Sequence, residues 1–248
     1  MAVDVNKSAL KEAHLNKEVK HWQHREEDQW QNFQFNQPYQ KGLDRLNDVV
    51  FKNTNFDPST LWQWGTMQAM ALIEMLNQAE KLFGAEGQKM ALSAMHKIGY
   101  DIGQQITANT EVPEDMSSAQ WTSFFGTVIN RIAYASLESP KIESDSSVGF
   151  HIDWCPHQDH YGPFDCRVQR YFVQGMIDAA RDFMKSQGRD DIEWDVGFLS
   201  TTPSGSAPCQ FQLQSGDPEK ARQWATMTNM LEQKSLERHG HTAAKNID

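Results

Sequence analysis

The chain has 248 residues, 39% hydrophobic and 23% charged, enough for one large soluble domain with its own core. Its formal net charge of −10 argues against partners recognised by phosphate charge, so neither nucleic acid nor an anionic membrane surface is expected. No apolar run reaches the ~20 residues of a membrane span, and the first residues lack the apolar stretch of a secretory signal, so a cytoplasmic protein is expected.

Residues 1–56 read as a polar arm that carries Trp22, Trp30, Phe33 and Phe35. Residues 7–30 suit a helix, but Leu10, Leu15, Val19 and Trp22 make too thin a stripe to fold alone. The arm is expected to pack on the body or on another subunit, serving assembly or acting as a lid, within a homo-oligomer. The body is expected over residues 57–240 as a single domain, and residues 241–248 as a frayed tail.

The body opens with Asp57 as N-cap and Pro58 at the first helical position. A helix then runs through Leu61, Trp64, Met67, Met70 and Ile73 to Phe83, where Gly84 is read as its stop. Its Trp and Met residues (Trp62, Trp64, Met67, Met70, Met75) are assigned to the core. A second helix covers residues 85–107, with Met90, Ala94, Ile98, Ile102 and Ile106 at helical spacing. A third covers residues 115–137, with Ser117 and Gln120 in capping-box spacing.

The period then changes. Residues 141–145 and 148–154 alternate like two strands joined by a turn at Ser146 and Ser147. Val148, Phe150, Ile152 and Trp154 take one face; His151, Asp153 and Cys155 take the other. A helix follows over residues 165–186, then a strand over 192–198 and a Pro/Ser/Gly turn over 201–208. Cys209, Phe211 and Leu213 alternate with Gln210 and Gln212, and Asp217-Pro218 opens a last helix to about residue 238. The order implies an α+β fold: a helical N-terminal half, then a small antiparallel sheet (strand-strand-helix-strand-strand-helix) covered by helices on one face.

Chemistry concentrates between residues 148 and 166. His151, Asp153, Cys155, His157, His160 and Cys166 are all candidate metal ligands, zinc being the divalent ion such a set would take. A second, distant ligand pair is missing, so no cofactor is expected and zinc is the alternative. The other reading is nucleophilic. Cys155 or Cys166 supplies the thiolate, His157 or His160 the general acid–base, and Asp153 the orienting carboxylate. Four residues along a straight strand span about 13 Å, which puts His151 out of reach of Cys155. His157 and His160 lie past Pro156, where the chain can fold back. Cys166, beside Asp165 near a helix start, is a site where the helix dipole lowers a thiol pKa.

Three cysteines is an odd number, and free or ligating thiols fit better than a bridge, although spacing permits a Cys155–Cys166 pair. Cys209 belongs to an apolar face and reads as a core residue. In the turn before it, Thr201, Thr202, Ser204, Gly205 and Ser206 offer hydroxyl and backbone donors for the carboxylate of a small-molecule substrate. There is no G-x-G-x-x-G, P-loop or G-x-S-x-G pattern, which removes the usual nucleotide-fold enzymes and serine hydrolases.

Several short features recur together in order. Leu82-Phe83-Gly84-Ala85-Glu86 precedes a helix holding Ile98-Gly99 and Gly103. Cys155-Pro156 follows a strand, Cys166 precedes a helix, and residues 202–213 lead into Cys209-Gln210-Phe211. Over residues 60–214 this resembles the L-2-amino-thiazoline-4-carboxylic acid hydrolase family, and the C-terminal part is similar to four-vinyl-reductase-type domains. The chain departs from the hydrolase pattern at Ser206 and Gln210, where that family carries acids. The resemblance implies ring opening by hydrolysis of a small cyclic C=N or amide-type bond, assisted by cysteine and histidine. Rival readings are a metal-dependent enzyme and a non-catalytic small-molecule binding or sensing domain.

Overall fold

The computed structural model describes residues 35–108, 110–135, 140–153, 155–189, 193–206 and 208–241. The expected helix over residues 7–30, together with Trp22, Trp30 and Phe33, lies outside them. From residue 35 the chain is anchored on the body: the Phe35 ring meets Phe124 edge-on at 4.6 Å, and the Asn36 backbone N–H donates to the Ile106 carbonyl. A short helix α1 (Gln40–Arg45) runs into a π-helical turn (Leu46–Phe51).

Helix α2 spans Ser59–Thr107, and the Asp57 carboxylate accepts from the Ser59 N–H at its start. Gly84, read as a stop, is instead a sharp kink with φ 59 and ψ −135, a conformation only glycine adopts readily. The bend brings Gln88 Nε2 to 2.7 Å from Glu80 Oε1, whereas a straight helix would separate these residues by about 12 Å. The core assignment of the first half of α2 is overturned. Trp62, Trp64, Met67, Met70 and Met75 are 46–64% exposed, while Thr66, Ala69, Ile73, Leu76, Ala79 and Glu80 are buried. Met90 and Ile98 are likewise exposed, and the buried stripe beyond the kink runs through Leu92, Met95, Gly99, Ile102 and Ile106.

The next elements follow the sequence closely. Helix α3 (Ser118–Tyr134) starts on the expected capping box, Ser117 with Gln120. Strands β1 (Lys141–Ser144) and β2 (Ser147–Ile152) form the hairpin, α4 is Arg167–Ser186, and β3 is Trp194–Ser200. A 3-10 turn (Thr202–Ser204) leads to β4 (Cys209–Ser215), and α5 (Pro218–Glu237) is capped by Asp217, whose side chain accepts from the Lys220 N–H. The sheet is antiparallel, in the order β1-β2-β4-β3.

Phe150 and Phe198 both stand opposite Phe211: the Phe150 ring stacks on it at 5.0 Å and the Phe198 ring meets it edge-on at 4.3 Å. Such cross-strand pairs are the unit that stabilises a sheet. Phe124, Phe125 and Ile129 of α3 and Val168 and Met176 of α4 complete the core on that face. The opposite face is not bare: Gly197, out of phase with Val196 and Phe198, leaves the space that the Trp224 indole of α5 fills.

Helices α2 and α4 cross at backbone contact through glycines on both partners. A Cβ on Gly99 would lie 2.1 Å from the Phe172 carbonyl oxygen, and one on Gly175 would lie 2.0 Å from that of His96. Among the described residues β3 pairs only with β4, and its outer edge is met by side chains of α4. Gln174 donates to the Trp194 carbonyl and accepts from the Val196 N–H, while Arg170 Nε donates to the Val196 carbonyl.

Candidate functional site

After Ile152 the chain leaves the sheet and turns inward. His151 and Asp153 remain on the solvent side, 52% and 66% exposed and 3.8 Å apart. Cys155, placed with them by simple alternation, is instead buried; Trp154 lies outside the described residues. The turn after Pro156 is held by N–H donation from His160 and Tyr161 to the His157 carbonyl. It lays the His157 ring flat on Tyr161 at 4.7 Å and edge-on to Tyr134 at 6.4 Å. His160 is exposed.

All three cysteines are free, which removes the Cys155–Cys166 bridge that spacing had permitted. They share one region of the core with Tyr134: Cys155 and Cys209 belong to the same buried cluster, Cys166 packs against it, and each acts electrostatically on the Tyr134 phenol. Tyr134 is 3% exposed, and its hydroxyl has no hydrogen-bond partner among the described residues. Burial, then the neighbouring thiols, hold that phenol well above its usual range. Nothing in the local sequence marks Tyr134 as part of a site; its apolar phase on α3 makes it look like core.

The Cys155 and Cys166 thiols are held in their neutral form. Burial raises Cys155, although the backbone N–H groups of His157 and Gln158 pull the other way. Burial raises Cys166 much further, with Cys209, Cys155 and Asp165 adding to it. The expected lowering of Cys166 by the helix dipole is therefore overturned. The residue sits at the N-cap of α4 without a side-chain cap, and desolvation outweighs the partial charge of the helix terminus. The Asp165 carboxylate beside it accepts from the Gly162 N–H and from Arg238. Among the described residues no three of His, Cys, Asp or Glu stand together as a metal site, and the candidate ligands His151, Asp153 and His160 lie on the exposed side.

His157 is held neutral, its pKa lowered to about 4, first by burial and then by His160. The unfolded imidazole takes its proton near 6.5, the folded one near 4. Lowering the pH across that window protonates the unfolded chain first, so stability is expected to fall from about pH 6.5 to about pH 4 and then level off. Urea midpoints measured against pH should show this slope, and His157→Gln should flatten it; an unchanged slope in the variant would place its origin elsewhere.

Cys166 also forms part of the wall of a pocket of about 270 Å³. Arg167 and Arg170 of α4, Leu199 and Ser200 of β3, and Trp224, Met227 and Leu231 of α5 complete most of it. Thr201 and Ser204 reach the same pocket, so the structure brings together Cys166 and part of the turn singled out in the sequence. The donors of that turn are largely engaged internally. The Ser204 hydroxyl accepts from the Thr201 N–H and donates to the Thr201 carbonyl. Thr202 N–H points at the Cys209 sulfur at 3.1 Å, and the Gly205 and Ser206 N–H groups bond back to Thr202 and Thr201. Arg170 is the missed residue: its guanidinium is largely buried against the pocket, and its place on α4 between Val168 and Phe172 was its only sequence signal.

A second buried assembly anchors this wall. Glu80 of α2 is 0% exposed and receives Arg167 Nη2, Gln88 Nε2 at 2.7 Å and the Ser235 hydroxyl at 2.7 Å. Arg238 and His239 approach the same carboxylate at 3.5 and 3.7 Å. Three helices are thereby tied at the residue next to Cys166.

No protein-family model matches the chain. Among solved structures it is similar to a trafficking protein particle complex subunit 3 from Naegleria fowleri, covalently bound to palmitic acid. That likeness has 12% identity and a TM-score of 0.44, and covers 61% of this chain and 95% of that one. An uncharacterized protein of Archaeoglobus fulgidus is 43% identical over 219 residues, 88% of this chain and 96% of the archaeal one. On that extent of identity the chain belongs to the same family as the archaeal protein.

Proposed function

We propose that the chain takes up a small, mainly apolar molecule in the pocket beneath α5 and acts on it through Cys166. In this reading it hydrolyses a carbon–nitrogen bond of a cyclic substrate, in the manner of the L-2-amino-thiazoline-4-carboxylic acid hydrolase family it resembles. One observation carries the reading: Cys166 lies in both the thiol cluster and the pocket wall. The apolar surfaces of Trp224 and Met227 suit a ring, and Arg170 suits a carboxylate.

A protonated thiol is compatible with this chemistry. Addition of S–H across a ring C=N forms the S–C bond and passes the thiol proton to the ring nitrogen. Collapse of the tetrahedral adduct breaks a ring C–N bond, the nitrogen leaves as an amine with a proton, and a thioimidate on Cys166 remains. Water adds to that thioimidate carbon, and the thiol departs with a proton as the amide C=O forms. A reducing, cytoplasmic setting suits three free thiols.

The test is turnover by the purified full chain of a panel of cyclic amidines and thioimidates, including 2-amino-thiazoline-4-carboxylate. Cys166→Ala is expected to lower kcat/KM by at least roughly 100-fold; full activity in that variant would overturn the assignment. A binding or sensing role is the second reading, favoured by the neutral thiols and the internally engaged turn donors. Saturable binding without turnover by wild type would select it. Elemental analysis addresses zinc: a stoichiometric, chelator-sensitive metal would reassign the thiol cluster to a metal site.

A further inference from the structure

The first half of α2 turns an apolar stripe away from the body. Trp64, Met75 and Leu82 are 61%, 64% and 65% exposed, and Gln68, Ala71 and Gln78 between them are exposed too. The buried residues Ala69, Ile73, Leu76 and Glu80 occupy the other side of the same helix. The exposed positions follow the spacing 4-3-4-3-4, the a/d repeat of a helix that packs lengthwise against another helix. At ~1.5 Å per residue the seam is about 27 Å long. Apolar side chains aligned on one seam over that length, unlike scattered single residues, mark an interaction site.

We propose that this seam is a dimer interface, in which α2 packs antiparallel against α2 of a second copy about a twofold axis near Ile73. The seam is complementary to itself in that arrangement, where each layer joins an a to a d position. Trp64 meets Leu82, Ala71 meets Met75, and Gln68 meets Gln78. Large side chains face small or apolar ones, and the two carboxamides face each other. Gln78 already donates to Glu74 within its own helix, which leaves its carbonyl free to accept from Gln68 of the other copy. A polar layer of this kind fixes register, and a mismatched apolar partner would bury it unpaired. That is why a second copy suits the seam better than an unrelated apolar helix.

Analytical ultracentrifugation of the full-length protein should show a dimer at micromolar concentration. Met75→Glu should raise the dimer dissociation constant at least 100-fold with an unchanged far-UV circular dichroism spectrum. Ile98→Glu, at an exposed site on the same helix beyond the kink, should leave it unchanged. Under diamide oxidation the pair Ala71→Cys with Met75→Cys should link two copies, with the bond located by peptide mass spectrometry. Leu82→Cys alone should not, because the two Leu82 positions lie about 27 Å apart along the axis. A monomeric wild type, a dimer indifferent to Met75→Glu, or linkage through Leu82→Cys would each overturn the proposal.

Discussion

Replacing Glu80 with alanine is expected to destabilise the protein by about 3–5 kcal/mol, the cost of breaking a buried ion pair by removing one partner. Glu80 is fully buried, and its two oxygens receive Arg167, Gln88 and Ser235. Without the carboxylate, Arg167 keeps its charge in a place where burial already lowers its pKa, opposed mainly by Glu80. Ser235 and Gln88 lose an acceptor at the same time. Glu80→Gln preserves shape and part of the hydrogen bonding but not the charge, and should fall between wild type and alanine. Urea unfolding at constant m-value is the measurement; a loss below about 1 kcal/mol for alanine would mean that water replaces the carboxylate. Because Arg167 follows Cys166 directly, the alanine variant should also disturb the pocket wall.

Gly175→Ala is expected to cost about 3 kcal/mol, at the upper end of overpacking penalties. Its new methyl carbon would stand 2.0 Å from the His96 carbonyl oxygen and 2.8 Å from the Tyr100 nitrogen. Both are backbone atoms, so no side chain can swing aside and the two helices must separate. Gly65→Ala, in the open first part of α2, meets nothing within 4 Å. There the methyl group should stabilise by about 0.5–1 kcal/mol through helix propensity alone. Thermal melts of the two variants should therefore move in opposite directions. A neutral Gly175→Ala would show that the crossing of α2 and α4 is looser than the contact distances imply.

Much of the fold is legible in the sequence because local rules and burial point the same way there. Ser117 with Gln120 starts α3, Asp217 with Pro218 starts α5, and Val148, Phe150 and Ile152 face inward as their alternation requires. The first half of α2 departs from its sequence pattern because hydrophobicity there does not track burial. Its Trp and Met side chains face solvent, and its buried stripe is carried by Thr66, Ala69, Ile73, Leu76 and Ala79 together with Glu80. The signal was present: Glu80 lies in helical phase with Ile73 and Leu76. A charge in phase with a buried stripe requires a buried countercharge, which Arg167 provides.

At the candidate site, proximity along the chain misled in one respect. His151 on β2 and Asp153 just past its end precede Cys155 by only a few residues but stay exposed, because the chain turns inward only after them. The gathering of Cys155, Cys166 and Cys209 depends on three separate elements meeting at Tyr134, and no local pattern encodes such a meeting. The thiol protonation states were also out of reach, since they follow from burial rather than from the position of Cys166 at a helix start.

The outer edge of β3 has a consequence for the protein in a crowded solution. An uncovered strand edge offers a template for another chain, and such edges commonly seed aggregation. Here Gln174 and Arg170 occupy the backbone groups of Trp194 and Val196 much as a neighbouring strand would. At the other end of the sheet, β1 is four residues long and pairs with an irregular step between Ile142 and Ser144. One margin is therefore occupied at Trp194 and Val196 by two side chains of a helix, and the other is short and uneven, which disfavours a partner strand.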